Sequence, residues 1–548
     1  MSTLNEGHRI VAKGTFWGLA GNIALKFFSF IYLVLVARFF SQNDVGTFYL
    51  ALSIIGAFTI FSDLGLGAAF TRYIPFYLGK GQKKDAYSLL QVSYMFSGTL
   101  SFLLSVGLFL AAGLLADAFK APGLDIQMQL LAIFLFLCTL LSLNTSFLSG
   151  LKRMKESNLL LNLQNTLKLV LTIALFIFMG ANYLALSISF IASYVIAVAF
   201  SFWYLQKNLE KEEMDKLAPD TKGRIELLKE IVPFGLMLSI VVTFWTIITY
   251  TDRILLGYFL GGEKATIAIA IYTMATTLAT MIMIFPSAVS SIFLPMISEL
   301  YAKEKRKEMA ELSNSAIRWV IFLITPPTLI FIIFPEEILQ MFYGKAYSGG
   351  AVVLMIFAIG FFIRSLSFIQ GSLLAALRAV KLEIYTAAAA AVSNIALNWV
   401  LIPRYGIEGA AISSAVSFAL VTVLLVYFTK KTFGLGFSAA LVKPIVAAAI
   451  GLLILFLLRG FAVQFINAVP VPELFSQGIL NVIVQKLMKL AIIGVLFTFT
   501  CAIYFIALLG MKGFASEDKE LLSVTLRKAR VPSQAVIFAE RVMGREEA

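Results

Sequence analysis

Apolar stretches of about 20 residues, each followed by a short polar turn, recur from one end of the chain to the other. Each is long enough to cross a hydrocarbon layer of about 30 Å as a helix, which satisfies its own backbone hydrogen bonds. The pattern predicts fourteen spans, over 15–37, 47–70, 87–116, 127–150, 158–179, 183–206, 231–260, 266–298, 315–334, 350–377, 382–402, 408–429, 438–458 and 487–510. The fold class that follows is an all-α integral membrane protein.

The pattern also repeats. The stretch 146–185 returns 226 positions later, with Ser146 matched by Ser372, Leu151 by Leu377, Lys152 by Arg378, Lys155 by Lys381, Gly180 by Gly406 and Ala185 by Ala411. Tyr49 and Tyr272 match at a spacing of 223. Six spans followed by six in the same orientation form a parallel repeat, as in transporters built from two lobes. The expected division is a first lobe over 1–206, a charged linker over 207–230, a second lobe over 231–430, two additional spans within 431–510 and a tail over 511–548. The two repeats differ in charge at one telling place: position 168 is lysine, and its counterpart is Asn394.

Composition agrees with this reading and adds orientation. Hydrophobic residues make up 60% and charged residues 14% of the chain, with a mean hydropathy of +0.90, outside the range of soluble domains. The net charge of +13 would suggest nucleic acid in a soluble protein. Here Lys and Arg alternate between loops, with an excess of about four to one on one side, which the positive-inside rule makes cytoplasmic. Both termini are therefore expected inside the cell membrane, and nucleic acid is not expected as a partner. The first apolar segment lacks the features of a cleaved signal. Cys138 and Cys501 lie far apart in apolar spans, which gives neither a disulfide framework nor a zinc spacing.

Ionisable residues at membrane depth are costly, so they mark function or helix contacts. Four cations qualify: Lys26, Lys168, Arg253 and Arg364. Helical spacing places three of them on polar stripes: Asn158, Asn162, Asn165, Lys168 and Thr172 in the fifth span; Ser239, Thr243, Thr246, Tyr250 and Arg253 in the seventh; Gly360, Arg364, Ser367 and Gly371 in the tenth. Asn22, Lys26 and Ser29 make a shorter stripe in the first. The competing explanation is that such residues snorkel or lock helices together. A shared cavity with these cations and few acids favours an anionic guest, with Asn162 and Asn165 suited to sugar hydroxyls. Asp63 and Asp252 are candidates for ion coupling or for structural hydrogen bonding. Catalytic residues, metals and cofactors are not expected, because His8 is the only histidine and no phosphate-binding glycine loop is present.

The segments Ala37-Arg38-Phe39-Phe40-Ser41, Asp44-Val45-Gly46-Thr47-Phe48-Tyr49, Asp63-Leu64-Gly65-Leu66-Gly67 and Thr71-Arg72-Tyr73-Ile74-Pro75 resemble the polysaccharide transporter family, the O-antigen flippases. So do Asp252-Arg253-Ile254-Leu255-Leu256-Gly257, Leu294-Pro295 and Tyr405-Gly406-Ile407-Glu408-Gly409. That family belongs to the multidrug, oligosaccharidyl-lipid and polysaccharide exporter superfamily, and the last two spans are similar to the pair that forms a lipid-tail groove in lipid II flippases. The resemblance implies two six-helix lobes around a central cavity and alternating access for a polyprenyl-diphosphate oligosaccharide. It implies membrane lipid, H+ or Na+, and glycan-assembly enzymes as partners. Two alternatives remain open: a cation-coupled multidrug antiporter, although such proteins have an acid in the first span where this chain has Lys26, and a membrane glycosyltransferase or polymerase.

Overall fold

The computed structural model describes residues 21, 24–208, 221–377, 379–434, 436, 441–468, 479–511 and 513–514. Asn22, His8 and nearly all of the tail over 511–548 lie outside the described residues, as do residues 209–220 of the linker. Among the described residues the regular structure is entirely helical. Eleven helices are long and apolar enough to cross a membrane. One of them, Val380–Phe433, has 54 residues and breaks at Gly406. Unbroken it would be about 80 Å long, more than twice a bilayer core, so it comprises two spans. The shorter apolar helices over 24–39 and Gly494–Gly510 supply the rest of the expected set.

The helices that position the sites are α1 (24–39), α2 (Gln42–Ala57), α3 (Thr59–Asp63), α4 (Leu66–Gly79), α5 (Lys83–Ser93), α6 (Thr99–Phe119), α7 (Leu124–Leu131), α8 (Ile133–Gly150), α9 (Met154–Met179) and α10 (Tyr183–Asn208). They continue as α11 (Thr221–Leu260), α12 (Gly262–Ala279), α13 (Ile284–Ala302), α14 (Arg306–Ile333), α15 (Pro335–Tyr343), α16 (Ala351–Ala376), α17 (Val380–Phe433), α18 (Val442–Ala468) and α19 (Ile479–Gly510).

The second span is not one rod. It enters as α2, whose first turn is capped by Ser41 Oγ accepting from the Asp44 N–H at 3.1 Å. It breaks after α3 and resumes as α4. Leu64 and Gly65 both adopt left-handed backbone, with φ of 47° and 76°, and glycine fits such a position without a Cβ penalty. Gly65 is also required by space, since a Cβ there would lie 2.0 Å from the Gly235 carbonyl oxygen of α11. Asp63 Oδ1 then accepts the Gly67 N–H at 3.2 Å and caps the new helix.

The helices pack into two compact units, one comprising Met1–Thr277 and Ala387–Ser414, the other Leu278–Thr386 and Ala415–Ala548. In the first, Leu66, Phe70 and Ile74 of α4 bury against Leu143 and Phe147 of α8. In the second, Phe322 of α14 packs with Ala447 of α18 and Tyr504 and Leu508 of α19, so the two spans outside the repeat dock on the ninth span. On α6, Phe102, Leu103, Val106, Phe109, Leu110 and Leu114 are exposed. Such a continuous apolar face is stable only against lipid or another apolar surface.

Candidate functional site

The polar stripe of α9 is turned toward α1. Asn162 Nδ2 donates to the Gly21 carbonyl at 3.3 Å, and Asn165 Oδ1 accepts from Ser29 Oγ at 3.2 Å. The same oxygen accepts from Lys168 Nζ at 3.2 Å, and that ammonium sits 4.4 Å above the Tyr32 ring. Thr172 leaves the stripe and meets Ser189 of α10 at 2.8 Å. Both amides therefore tie α9 to the first span, and Asn165 also holds the lysine in place.

Arg253 reaches the same unit from α11. Its guanidinium lies 3.5 Å from Ser53 Oγ and 5.8 Å from the centre of the Tyr49 ring. Each cation thus has a tyrosine ring beside it, Tyr32 of α1 for Lys168 and Tyr49 of α2 for Arg253. No carboxylate bonds to Lys168 or Arg253 among the described residues. The Tyr32 hydroxyl and Arg253 Nε are buried without a partner. Since arginine, lysine and the tyrosine O–H all donate, the two cations and Tyr32 have donors to spare.

Lys26 and Arg364 stand elsewhere. Lys26 is exposed on α1. Arg364 belongs to the second unit, with its guanidinium 5.0 Å from the Phe418 ring. Its stripe faces the second half of α17: a Cβ on Gly360 would lie 3.1 Å from Ala415, and Thr422 Oγ1 donates to Ser367 Oγ at 3.2 Å. A fifth cation, Arg318, is only 4% exposed and lies inside α14. It lies within the expected ninth span, 315–334, but was not among the four cations singled out from sequence.

The two aspartates differ sharply. Asp252 on α11 is 4% exposed and accepts from four neutral groups: Tyr272 Oη on α12, Asn394 Nδ2 at 3.2 Å, Asn398 Nδ2 at 2.6 Å and Ser414 Oγ at 2.6 Å. Asp63 is half-buried at the break in the second span, and among the described residues its carboxylate accepts only the Gly67 N–H. It borders a cavity of about 230 Å³ whose walls include Thr139, Ser142, Ser239, Thr243 and Thr246. The seventh-span stripe thus splits: its first three members face this cavity, while Tyr250 packs against Gly56 and Arg253 joins the cationic cluster.

The family described as "Polysaccharide biosynthesis protein" matches residues 11–301, more than half of the chain. The chain belongs to this family. The family described as "MatE" also matches, over residues 232–400. Among curated relatives, the "Probable low-salt glycan biosynthesis flippase Agl15" of Haloferax volcanii is 24% identical over 410 residues, 75% of this chain and 81% of the relative. The "Putative O-antigen transporter" of Shigella flexneri is 23% identical over 76% of this chain and 96% of its own. Among solved structures, the lipid II flippase MurJ in an inward closed conformation superposes with a TM-score of 0.65 at 15% identity, covering 87% of this chain and 98% of that one. An inward-facing multidrug resistance MATE family transporter gives 0.60 at 15% identity, over 73% and 94%. These likenesses show that the chain shares the multi-pass, all-helical membrane fold of those structures.

Tyr32 and Ser53 were not singled out from sequence, because one tyrosine or serine in an apolar helix carries no visible signal. Tyr49 and Tyr272 were visible as a matched pair. Each lies beside a charged group in the first unit, Tyr49 by Arg253 and Tyr272 by Asp252.

Proposed function

We propose that this protein is a flippase that moves an anionic, lipid-linked oligosaccharide from the cytoplasmic to the outer leaflet of the cell membrane by alternating access. The observation that carries the reading is the pair of cations in the first unit, Lys168 over Tyr32 and Arg253 beside Tyr49, with surplus donors and, among the described residues, no carboxylate bonded to either. A diphosphate supplies the acceptors and the charge that this cluster lacks. An organic cation would be repelled, which disfavours the multidrug antiporter reading. The named glycan flippases and O-antigen transporter among the relatives support the same substrate class.

Asn162 and Asn165 hold the cluster in register, and Lys26 and Arg364 are further candidate phosphate contacts. An apolar groove of about 380 Å³ on the second unit, lined by Ile333, Met355, Leu452, Leu453 and Phe456 and ending at Arg459, supports a polyprenyl tail lying in lipid beside the thirteenth span. Translocation draws on an ion gradient, H+ or Na+, with Asp63 and Asp252 as the candidate carboxylates, and glycan-assembly enzymes supply the cargo.

The test is leaflet translocation of a fluorescent polyprenyl-diphosphate oligosaccharide in proteoliposomes. Lys168→Ala and Arg253→Ala are each expected to lower the rate at least about tenfold, the equivalent of about 1.4 kcal/mol, with thermal unfolding showing that both variants are folded. Unchanged rates in both would refute the assignment. Formation of a glycosylated product by the purified protein would favour the enzyme alternative.

A further inference from the structure

The cavity beside Asp63 belongs to the same compact unit as Lys168 and Arg253 but has a different chemistry. No lysine or arginine lines it, and its one charged group is the Asp63 carboxylate. That group offers about four lone-pair positions and, among the described residues, receives only the Gly67 N–H at 3.2 Å. The hydroxyls around it fall into three sets. Thr59, Ser239 and Thr246 direct their protons at the backbone carbonyls of Gly56 (2.6 Å), Leu236 (3.0 Å) and Val242 (2.8 Å), which leaves them as acceptors. Ser62 and Thr139 are occupied with each other and with the backbone: Thr139 Oγ1 lies 3.0 Å from Ser62 Oγ and 2.8 Å from the Leu135 carbonyl, and Ser62 donates to the Thr59 carbonyl at 3.0 Å. Ser142 and Thr243 line the cavity with hydroxyls that bond to nothing among the described residues, so each keeps a proton to give as well as lone pairs. Ile60, Leu64, Ala68 and Val242 supply an apolar part of the same lining.

We infer that this cavity is the sugar subsite for the transported lipid, and that Asp63 selects an uncharged sugar ring over an acidic one. The inference rests on the flippase reading and narrows its cargo. Each sugar hydroxyl donates one hydrogen bond and accepts others, so a sugar needs a lining with both capacities. Here the carboxylate and the three committed hydroxyls accept, while Ser142 and Thr243 donate. The C–H faces of the ring need apolar surface, which Ile60, Leu64 and Val242 provide. A volume of about 230 Å³ admits one such ring. A diphosphate has only acceptors and belongs with the cations. An acidic sugar would bring a second carboxylate beside Asp63, with no cation in the lining to share it. A lipid chain would bury the carboxylate without a partner. Thr246 lies two turns of α11, about 10 Å, from Arg253, within reach of a glycan whose phosphate is held there. The break in the second span fixes the carboxylate, since Gly65 packs directly on the Gly235 carbonyl and the Asp63 carbonyl accepts from Ser97 Oγ at 3.3 Å.

The experiment measures equilibrium binding to the full chain in lipid nanodiscs. The probes are farnesyl diphosphate, the same lipid carrying a disaccharide of neutral hexoses, its counterpart with one hexose replaced by the uronic acid, and a lipophilic cation. Farnesyl diphosphate alone reports on Lys168 and Arg253, and the ratio between the two glycans reports on the cavity. The neutral glycan is expected to bind about tenfold more tightly than the acidic one. Asp63→Asn, which keeps the oxygen that caps α4, is expected to weaken the neutral glycan several-fold and to strengthen the acidic one, two effects of opposite sign that a structural defect would not produce. Thr243→Val is expected to weaken both glycans and to leave farnesyl diphosphate unchanged. The inference is overturned if the two glycans bind alike to the parent chain, if their ratio is unchanged in Asp63→Asn, if neither binds more tightly than farnesyl diphosphate alone, or if the lipophilic cation binds in an Asp63-dependent way and the neutral glycan does not. Binding with the expected preference but no movement of either glycan between leaflets would refute the flippase reading and leave the sugar site in place.

Discussion

Asp252 and Asp63 are both carboxylates at membrane depth in the first unit, and they resolve the cost of burial in opposite ways. Asp252 is surrounded by four donors from α11's neighbours, two amides, a tyrosine and a serine. Its charge is dispersed over neutral groups, and there is little left for a ligand to satisfy. Asp63 has one backbone donor and a cavity. The difference teaches that depth alone does not mark a binding site. The number of donors already committed does, because a saturated carboxylate is a joint and an unsaturated one is a receptor.

This contrast can be broken most severely at the joint. Asp252→Ala leaves four buried donors without an acceptor, at about 1–3 kcal/mol each, so thermal unfolding in detergent is expected to show a loss of more than about 4 kcal/mol or no folded protein. Next comes the break that aims Asp63. Gly65→Ala adds a Cβ 2.0 Å from the Gly235 oxygen at a left-handed position and is expected to cost about 3 kcal/mol. Tyr272→Phe removes one of the four donors to Asp252 and should cost about 2 kcal/mol. Smallest is Asp63→Asn, expected to change stability by less than about 0.5 kcal/mol, because asparagine also caps a helix. A larger loss at Asp63 than at Asp252 would reverse the assignment of the two roles.

Much of the frame was readable from residue pattern. Apolar runs located the spans, and Gly406 marked the turn between the eleventh and twelfth spans, with φ of 56° and ψ of −127°. The stripes were also real, since steps of three and four do bring residues to one helix face. What the pattern could not supply was the neighbour each stripe meets. Ser239 and Arg253 share a stripe about 21 Å long, and over that distance the surroundings of α11 change from the Asp63 cavity to the cationic cluster. Asn162 and Asn165 read equally well as sugar ligands or helix joints until their bonds to Gly21 and Ser29 were seen. The hydroxyls of Tyr32 and Ser53 gave no sequence signal, because their chemistry depends on what stands opposite.

Helix α11 runs for 40 residues with Pro233 inside it, and beyond that proline it carries Ser239, Thr243 and Thr246 of the Asp63 cavity, Asp252 and Arg253 on one backbone. Two ligands bound along one helix are thermodynamically linked wherever occupying one site changes the affinity of the other. Whatever factor a coupling ion applies to the affinity for an anionic lipid, the lipid must apply to the affinity for the ion. If that factor favours simultaneous binding, the ion travels with the glycan; if it disfavours it, the two are exchanged across the membrane. The sign of a single coupling free energy would therefore decide between symport and antiport.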